Sequence, residues 1–174
     1  RHQGALPLAL HGHVGEDRPR RHGRHPEHEL REPVADLRVR SATLQPARVS
    51  RTLIPRLVDE VPVLAVAMAH AGGESVITEA SELRVKESDR IHTTLAILDS
   101  LGVTTTEHDD GFTVSGATLK QMTPPTVDAG LDHRIAMASV VAGLPLSGET
   151  VVHGADAINS SFPTFMNLVE LLRE

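Results

Sequence analysis

The sequence predicts an α/β (α+β) fold in which short sheets are walled by helices, and three observations predict it. Along residues 33–174, apolar runs of helical length alternate with short β-branched runs. One pattern occurs twice, as DEVPVLAVAMAHAGGESVITEA from Asp59 to Ala80 and DHRIAMASVVAGLPLSGETVVHGA from Asp132 to Ala155, roughly 75 residues apart. Each copy is an acid-capped apolar helix, a small-residue stop with Gly-Glu, a β-branched strand and a closing Ala, which marks one supersecondary unit used at least twice. Aromatic residues make up only 2% of the chain, with no Trp or Tyr, so the core must be aliphatic.

The elements follow in order. ADLRVRS alternates and reads as a strand. LVDEVPVLAVAMAHAGG reads as a buried helix, with Asp59 as N-cap, Pro62 in its first turn and Gly72-Gly73 as its stop. ESVITEA is a short strand. SDRIHTTLAILDSLG reads as a helix with Ser88 as N-cap. Ile91, Leu95, Leu98 and Leu101 form its apolar stripe, and Gly102 ends it. VTTTEHDDGFTVSG reads as a hairpin turning at Asp110-Gly111. TPPTVDAG reads as a loop with a short strand, DHRIAMASVVAGL as a helix capped by Asp132, and ETVVHGA as a strand. SSFPTFMNLVELLRE closes the chain as an amphipathic helix, with Ser160 or Ser161 at its cap.

Residues 1–32 differ from the rest. They carry six of the 11 histidines (His2, His11, His13, His22, His25 and His28) and no sustained periodicity beyond ALPLAL. Histidine clusters can hold metal. The competing readings are a poorly ordered leader and a stretch translated from the wrong frame. The abrupt join to orderly sequence near Glu32 favours the last.

Charge and composition exclude several functions. The net charge of -6 and the lack of aromatic stacking platforms argue against a nucleic-acid binder. There are no cysteines, so thiol catalysis, disulfides and thiolate metal sites are excluded. No apolar run reaches membrane-spanning length, and the expected setting is the cytoplasm.

The chemistry gathers at the helix starts. ELRVKESDRI, residues 82–91, holds three acids and three bases. Lys86 and Glu87 precede a helix, and Arg90 lies in its first turn. Asp132-His133-Arg134 opens another helix in the same way, and Asp59-Glu60 opens a third. Free N–H groups and the positive end of the helix dipole point out of such starts, so added cations there make a site for phosphate or carboxylate. If the starts converge, Lys86, Arg90, Arg134 and His133 would clamp an anion. Asp59 and Glu87 would then supply carboxylates for acid–base work. The alternative is a set of solvated salt bridges, for example Glu87 with Arg90 at i, i+3.

LRVKESDRI, GLDHRIAMA, LVDEVPVLAVA and the closing DAINSSFPTFMNLVELL resemble the C-terminal half of the 5-enolpyruvylshikimate-3-phosphate synthase family, over about residues 33–174. The resemblance implies a fold of two lobes, each built of three βαβαββ units, so that residues 33–174 form part of the C-terminal lobe. It implies transfer of the enolpyruvyl group from phosphoenolpyruvate to the 5-hydroxyl of shikimate 3-phosphate, releasing phosphate, on the way to chorismate. The family is usually monomeric and uses no metal or organic cofactor. By match to the motifs, Asp59, Glu87 and Lys86 would be catalytic. Lys86, Arg90, Arg134 and His133 would bind phosphoenolpyruvate, and Asp59 and Lys86 would bind shikimate 3-phosphate. The enolpyruvyl transferase acting on UDP-N-acetylglucosamine is the related alternative, and RVKESDR points away from it. A non-catalytic, anion-binding piece of the same fold is another.

Two departures from the family stand out. Ser160 occupies a position where many members have a lysine that contacts phosphoenolpyruvate. A glyphosate-tolerant bacterial class also has a small hydroxyl residue there, and the sequence resembles that class. The other lobe, which carries most of the shikimate 3-phosphate contacts, is absent from this sequence. The chain alone is therefore expected to be inactive, poorly soluble or partly molten.

Overall fold

The computed structural model of the chain describes residues Leu8–Leu10, 36, 38–116 and 122–172. Two compact units are distinguished, one spanning Leu6–Thr43 and the other containing Leu44–Glu174. In the smaller unit, β1 (Leu8–Leu10) pairs antiparallel with β2 (Val39–Ser41), with Leu8 opposite Ser41 and Leu10 opposite Val39. β1 comes from the ALPLAL stretch, and β2 is the exposed end of the strand expected over ADLRVRS. The six clustered histidines and the junction near Glu32 lie outside the described residues.

The larger unit opens with a complete βαβαββ copy. β3 (Arg48–Val49) leads into α1 (Ile54–Leu57) and α2 (Val61–Ala69), which return the chain to β4 (Gly73–Ile77). A 3₁₀ turn (Ser81–Val85) then precedes α3 (Arg90–Ser100), and β5 (Thr104–His108) and β6 (Gly111–Gly116) form a hairpin. The sheet order is β3-β4-β6-β5, with β3 parallel to β4 and the other pairs antiparallel. The second copy repeats the first part of this path. β7 (Thr126–Asp128) leads to α4 (His133–Gly143) and to the parallel strand β8 (Val151–His153). A 3₁₀ turn (Ala155–Ser160) and α5 (Phe165–Leu171) follow.

The two copies share a packing detail. Pro46 lies two residues before Arg48, and Gly73 lies three before Arg48's partner Val76. Pro124 and Gly148 stand in the same relation to the pair Thr126 and Val151. Both glycines have positive φ, 117° and 120°, and a Cβ on either would come within 2.8 Å of its proline's Cγ. Glycine is the residue that accepts both the backbone conformation and the close approach.

The core is aliphatic apart from Phe112, which is fully buried. α2 is apolar on all sides and is buried from Val61 to Ala69 apart from Val63 and partly buried Leu64 and Ala67, which suits a helix between layers. It packs against α3, α4 and β6. Ala65 and Ala69 of α2 and Ala138 and Ala142 of α4 are buried, and short side chains let helices approach closely. α3 buries Ile91, Leu95, Ile97 and Leu98 on one stripe, each worth about 1.5–3 kcal/mol of burial. Apolar side chains left exposed include Met166, Leu168, Leu171 and Leu172 at the C-terminal helix and Val85 and Leu131 beside two helix starts. No helix among the described residues is long and apolar enough to cross a membrane.

Several local expectations need correction. The N-cap of α3 is Asp89, whose Oδ1 accepts from the His92 N–H at 3.1 Å, rather than Ser88. The N-cap of α2 is Glu60, without a side-chain cap, so Asp59 sits one residue earlier. The hairpin turns on Asp109-Asp110, because His108 pairs with Gly111. The closing helix starts at Phe165 after Thr164, since Ser160 lies in the 3₁₀ turn and Pro163 interrupts before the helix begins.

Candidate active site

Three helix starts meet around one guanidinium. Arg90, the first residue of α3, has a side chain 1% exposed. Its Nε donates to Asp132 Oδ2 at 2.9 Å, its Nη1 to Asp59 Oδ1 at 2.8 Å, and its Nη2 to Glu87 Oε2 at 2.5 Å and Asp132 Oδ1 at 3.4 Å. Asp59 precedes α2, Glu87 lies in the loop before α3, and Asp132 caps α4. The i, i+3 pair of Glu87 with Arg90 exists, and it joins a half-exposed carboxylate to a buried guanidinium.

Asp132 is the centre of this arrangement. Its side chain is 0% exposed. One oxygen caps α4 by accepting from the backbone N–H of Arg134 at 3.0 Å and of Ile135 at 3.4 Å. The other accepts from Arg90 Nε and from the Ser88 hydroxyl at 2.8 Å. Burial opposes its charge, but the hydrogen bonds from Arg90 and Ser88 outweigh that and hold its carboxyl below the ordinary aspartate value of 3.8. Burial likewise works against the Arg90 charge, and Asp132 and Asp59 reverse the balance, so the guanidinium is held more firmly protonated than usual. Asp59 is lowered first by its hydrogen bond from Arg90, and Arg134 and Lys86 add attraction.

The rim is more open. Arg134 Nη1 donates to Glu60 Oε1 at 2.8 Å, and its Nη2 stands 4.0 Å from Asp59 Oδ2. Its side chain is 30% exposed, and those of Asp59 and Glu87 are each 49% exposed. Lys86 Nζ pairs with Glu82 Oε1 at 2.9 Å along the 3₁₀ turn. His133 opens α4 between Asp132 and Arg134, and no side-chain hydrogen bond joins it to the cluster among the described residues. A cavity of about 210 Å³ adjoins the rim, with Asp59, Glu60 and Arg134 at its polar end and Phe162 and Phe165 among its apolar lining. The closing SFPTF segment therefore packs beside Arg134. Ser160 is exposed, and its hydroxyl donates to the Ala157 carbonyl at 2.7 Å.

Sequence reading grouped Asp59, Lys86, Glu87, Arg90, His133 and Arg134. The structure joins Asp59 and Glu87 to Arg90 and sets Arg134 4.0 Å from Asp59, whereas Lys86 pairs with Glu82 and His133 makes no side-chain hydrogen bond among the described residues. That reading missed Asp132 as a tertiary anchor, Ser88 as a donor to it, and Glu60 as the partner of Arg134. Asp132 was legible only as a helix cap. No group of three or more His, Asp or Glu side chains placed to hold a metal ion occurs among the described residues.

The repeated βαβ units, whose neighbouring helix starts carry cations and carboxylates, have the fold of solved enolpyruvyl transferases. The fold agrees with the enolpyruvyl transferase NikO from Streptomyces tendae at a TM-score of 0.59 and 22% identity, over 80% of this chain and 31% of that one. The model of the EPSP synthase family (3-phosphoshikimate 1-carboxyvinyltransferase) matches residues 24–169, and the chain belongs to that family. It is 49% identical over 142 residues to the 3-phosphoshikimate 1-carboxyvinyltransferase of Desulforudis audaxviator, covering 82% of this chain and 33% of the relative. The enzyme of that name from Roseiflexus castenholzii is 46% identical over 143 residues, 82% of this chain and 33% of the relative. EPSP synthase from Acinetobacter baumannii superposes at a TM-score of 0.71 with 36% identity, covering 74% of this chain and 30% of that chain. The chain thus spans about a third of the length of the curated relatives it matches.

Proposed function

We propose that this chain supplies one wall of the cleft in which an enolpyruvyl group passes from phosphoenolpyruvate to the 5-hydroxyl of shikimate 3-phosphate. The observation that carries the reading is the convergence of Arg90, Arg134, Asp59 and Glu87 at three helix starts in a chain of this family.

In the reaction, the hydroxyl oxygen bonds to C2 of phosphoenolpyruvate and gives up its proton, while C3 gains one. The tetrahedral adduct then expels phosphate and returns a proton from C3. Arg90 and Arg134 suit the phosphate and carboxylate groups of phosphoenolpyruvate, because the guanidinium fork binds such anions bidentately. Lys86 bridges the reacting oxygen and the two substrates, and His133 lies beside them. Asp59 takes the hydroxyl proton and holds the shikimate ring. Glu87 serves the enolpyruvyl methylene.

The geometry suggests how binding prepares these bases. Asp132 is buried and keeps its hold on Arg90 Nε. Asp59 and Glu87 are half-exposed and occupy the Nη groups. An entering dianion competes for those Nη groups and releases both carboxylates. Asp59 then loses the hydrogen bond that most depresses its pKa, and its basicity rises. The whole enzyme needs the other lobe, works as a monomer in the cytoplasm, and takes no nucleic-acid or membrane partner in this reading.

The test is a chimera in which residues 33–174 replace the matching segment of the Desulforudis audaxviator relative. Phosphate released from phosphoenolpyruvate only with shikimate 3-phosphate is the expected result. Release with UDP-N-acetylglucosamine instead would move the protein to the related enzyme. No release from a folded chimera, with the parent relative active, would overturn the reading and leave an anion-binding piece.

A further inference from the structure

Arg84 and Asp89 belong to the RVKESDR motif, yet neither touches the Arg90 cluster. Arg84 Nε donates to the Asp109 carbonyl at 2.8 Å and Nη2 to the His108 carbonyl at 2.6 Å. Nη1 reaches Asp89 Oδ2 at 2.8 Å and Glu107 Oε1 at 2.9 Å. One guanidinium thus ties the N-cap of α3 to the turn of the β5–β6 hairpin.

The loop between Arg84 and Asp89 carries Lys86, Glu87 and Ser88. The 3₁₀ turn ends at Val85, and among the described residues the backbone N–H groups of Glu87 and Ser88 donate to no backbone carbonyl. Val85 is exposed, so apolar packing does not fix the loop either. Its supports are side chains: the Arg84 clamp across its base, Lys86 on Glu82, Glu87 on Arg90 and Ser88 on Asp132. Asp89 divides its duties between its oxygens, Oδ1 capping α3 and Oδ2 receiving Arg84.

We propose that Arg84 is a positioning residue that, through Asp89 and the β5–β6 turn, sets the loop presenting Lys86 and Glu87 to the reacting atoms. The inference rests on the function proposed above. The ion pairs are partly exposed, and such pairs add little to stability, so their effect is expected in geometry. The fork that meets two carbonyls and two carboxylates is specific to arginine, and a lysine's point charge cannot reproduce it.

The test uses the full-length chimera, with phosphate-release kinetics and hydrogen exchange of the amides of residues 85–88. A catalytic group displaced by an ångström can cost about 100-fold, so Arg84→Ala and Arg84→Lys should each lower kcat by about 10- to 100-fold. KM for shikimate 3-phosphate should stay within about threefold, because in this reading most contacts to that substrate lie in the other lobe. Exchange at 85–88 should quicken in both variants. Asp89→Asn retains a cap acceptor and the fold, and should reproduce part of the kcat loss. Full activity in Arg84→Lys, or activity lost only in proportion to unfolded protein, would overturn the proposal. If the unmutated chimera releases no phosphate, the functional reading fails separately. The clamp is then judged by exchange alone, and unchanged exchange in Arg84→Ala would overturn it.

Discussion

Two arginines open neighbouring helices, and the molecule treats them differently. The dipole of a helix start disfavours a cation at either place. At α3, Arg90 is buried and three carboxylates surround it, one of them wholly withdrawn from water. At α4, Arg134 keeps contact with solvent and leans on Glu60, itself half-exposed. The first arginine is part of what joins the two repeats, and in the proposed function it also offers its Nη groups to the anion; the second has no buried partner and in that reading serves the anion alone. A cation at a helix start can therefore carry an architectural role, and burial marks the arginine that does.

Removing each arginine tests this contrast most strongly. Arg90→Ala in the full-length chimera should abolish turnover and lower stability by roughly 3–5 kcal/mol, because a buried charge loses its partner. Urea denaturation reads the second effect, and an unchanged midpoint would deny Arg90 its architectural role. A double-mutant cycle sharpens the point. Arg90 with Asp132 should couple by about 2–3 kcal/mol, and Arg134 with Glu60 by no more than about 0.5 kcal/mol. Equal couplings would erase the distinction. Arg134→Ala should cost less than about 1 kcal/mol of stability yet raise KM for phosphoenolpyruvate at least tenfold, because it removes an exposed ion pair and a ligand contact.

The smallest effect is expected in acid. Asp132 and Asp59 are held below 3.8 when folded, so the unfolded chain takes up their protons first as pH falls. Their contribution is fully present above that value and is lost as pH drops through the folded pKa values. Stability measured against pH should therefore hold down to about pH 4 and decline below it. In Arg90→Ala that acid decline should shrink or reverse, because burial without the guanidinium raises the folded carboxyl pKa. Identical acid profiles for the two proteins would show that Arg90 does not hold these carboxylates ionised.

Much of this was legible in the sequence. α3 and α4 show apolar stripes long enough for helical periodicity, and the repeat exposes the shared unit. The capping aspartate of α4 is plain from DHR before an apolar run. β3 and β7 have only two and three residues, too few to show alternation. The 3₁₀ turns span five and six residues, also too few for a helical period to show. ESD offers two adjacent residues able to cap α3, and nothing local decides between them. The choice is made by Asp132, 44 residues beyond Ser88, which engages the serine hydroxyl while the next residue caps the helix. Likewise, no pattern across the 42-residue separation of Arg90 and Asp132 announces their contact.

That contact also bears on ancestry. Arg90 belongs to the first copy of the repeat and Asp132 to the second, so each copy contributes one half of the buried pair. A forebear with a single copy could make this pair only between two molecules. Either the pair arose after the gene segment was doubled, or it began at the face where two identical chains met and was later written into one.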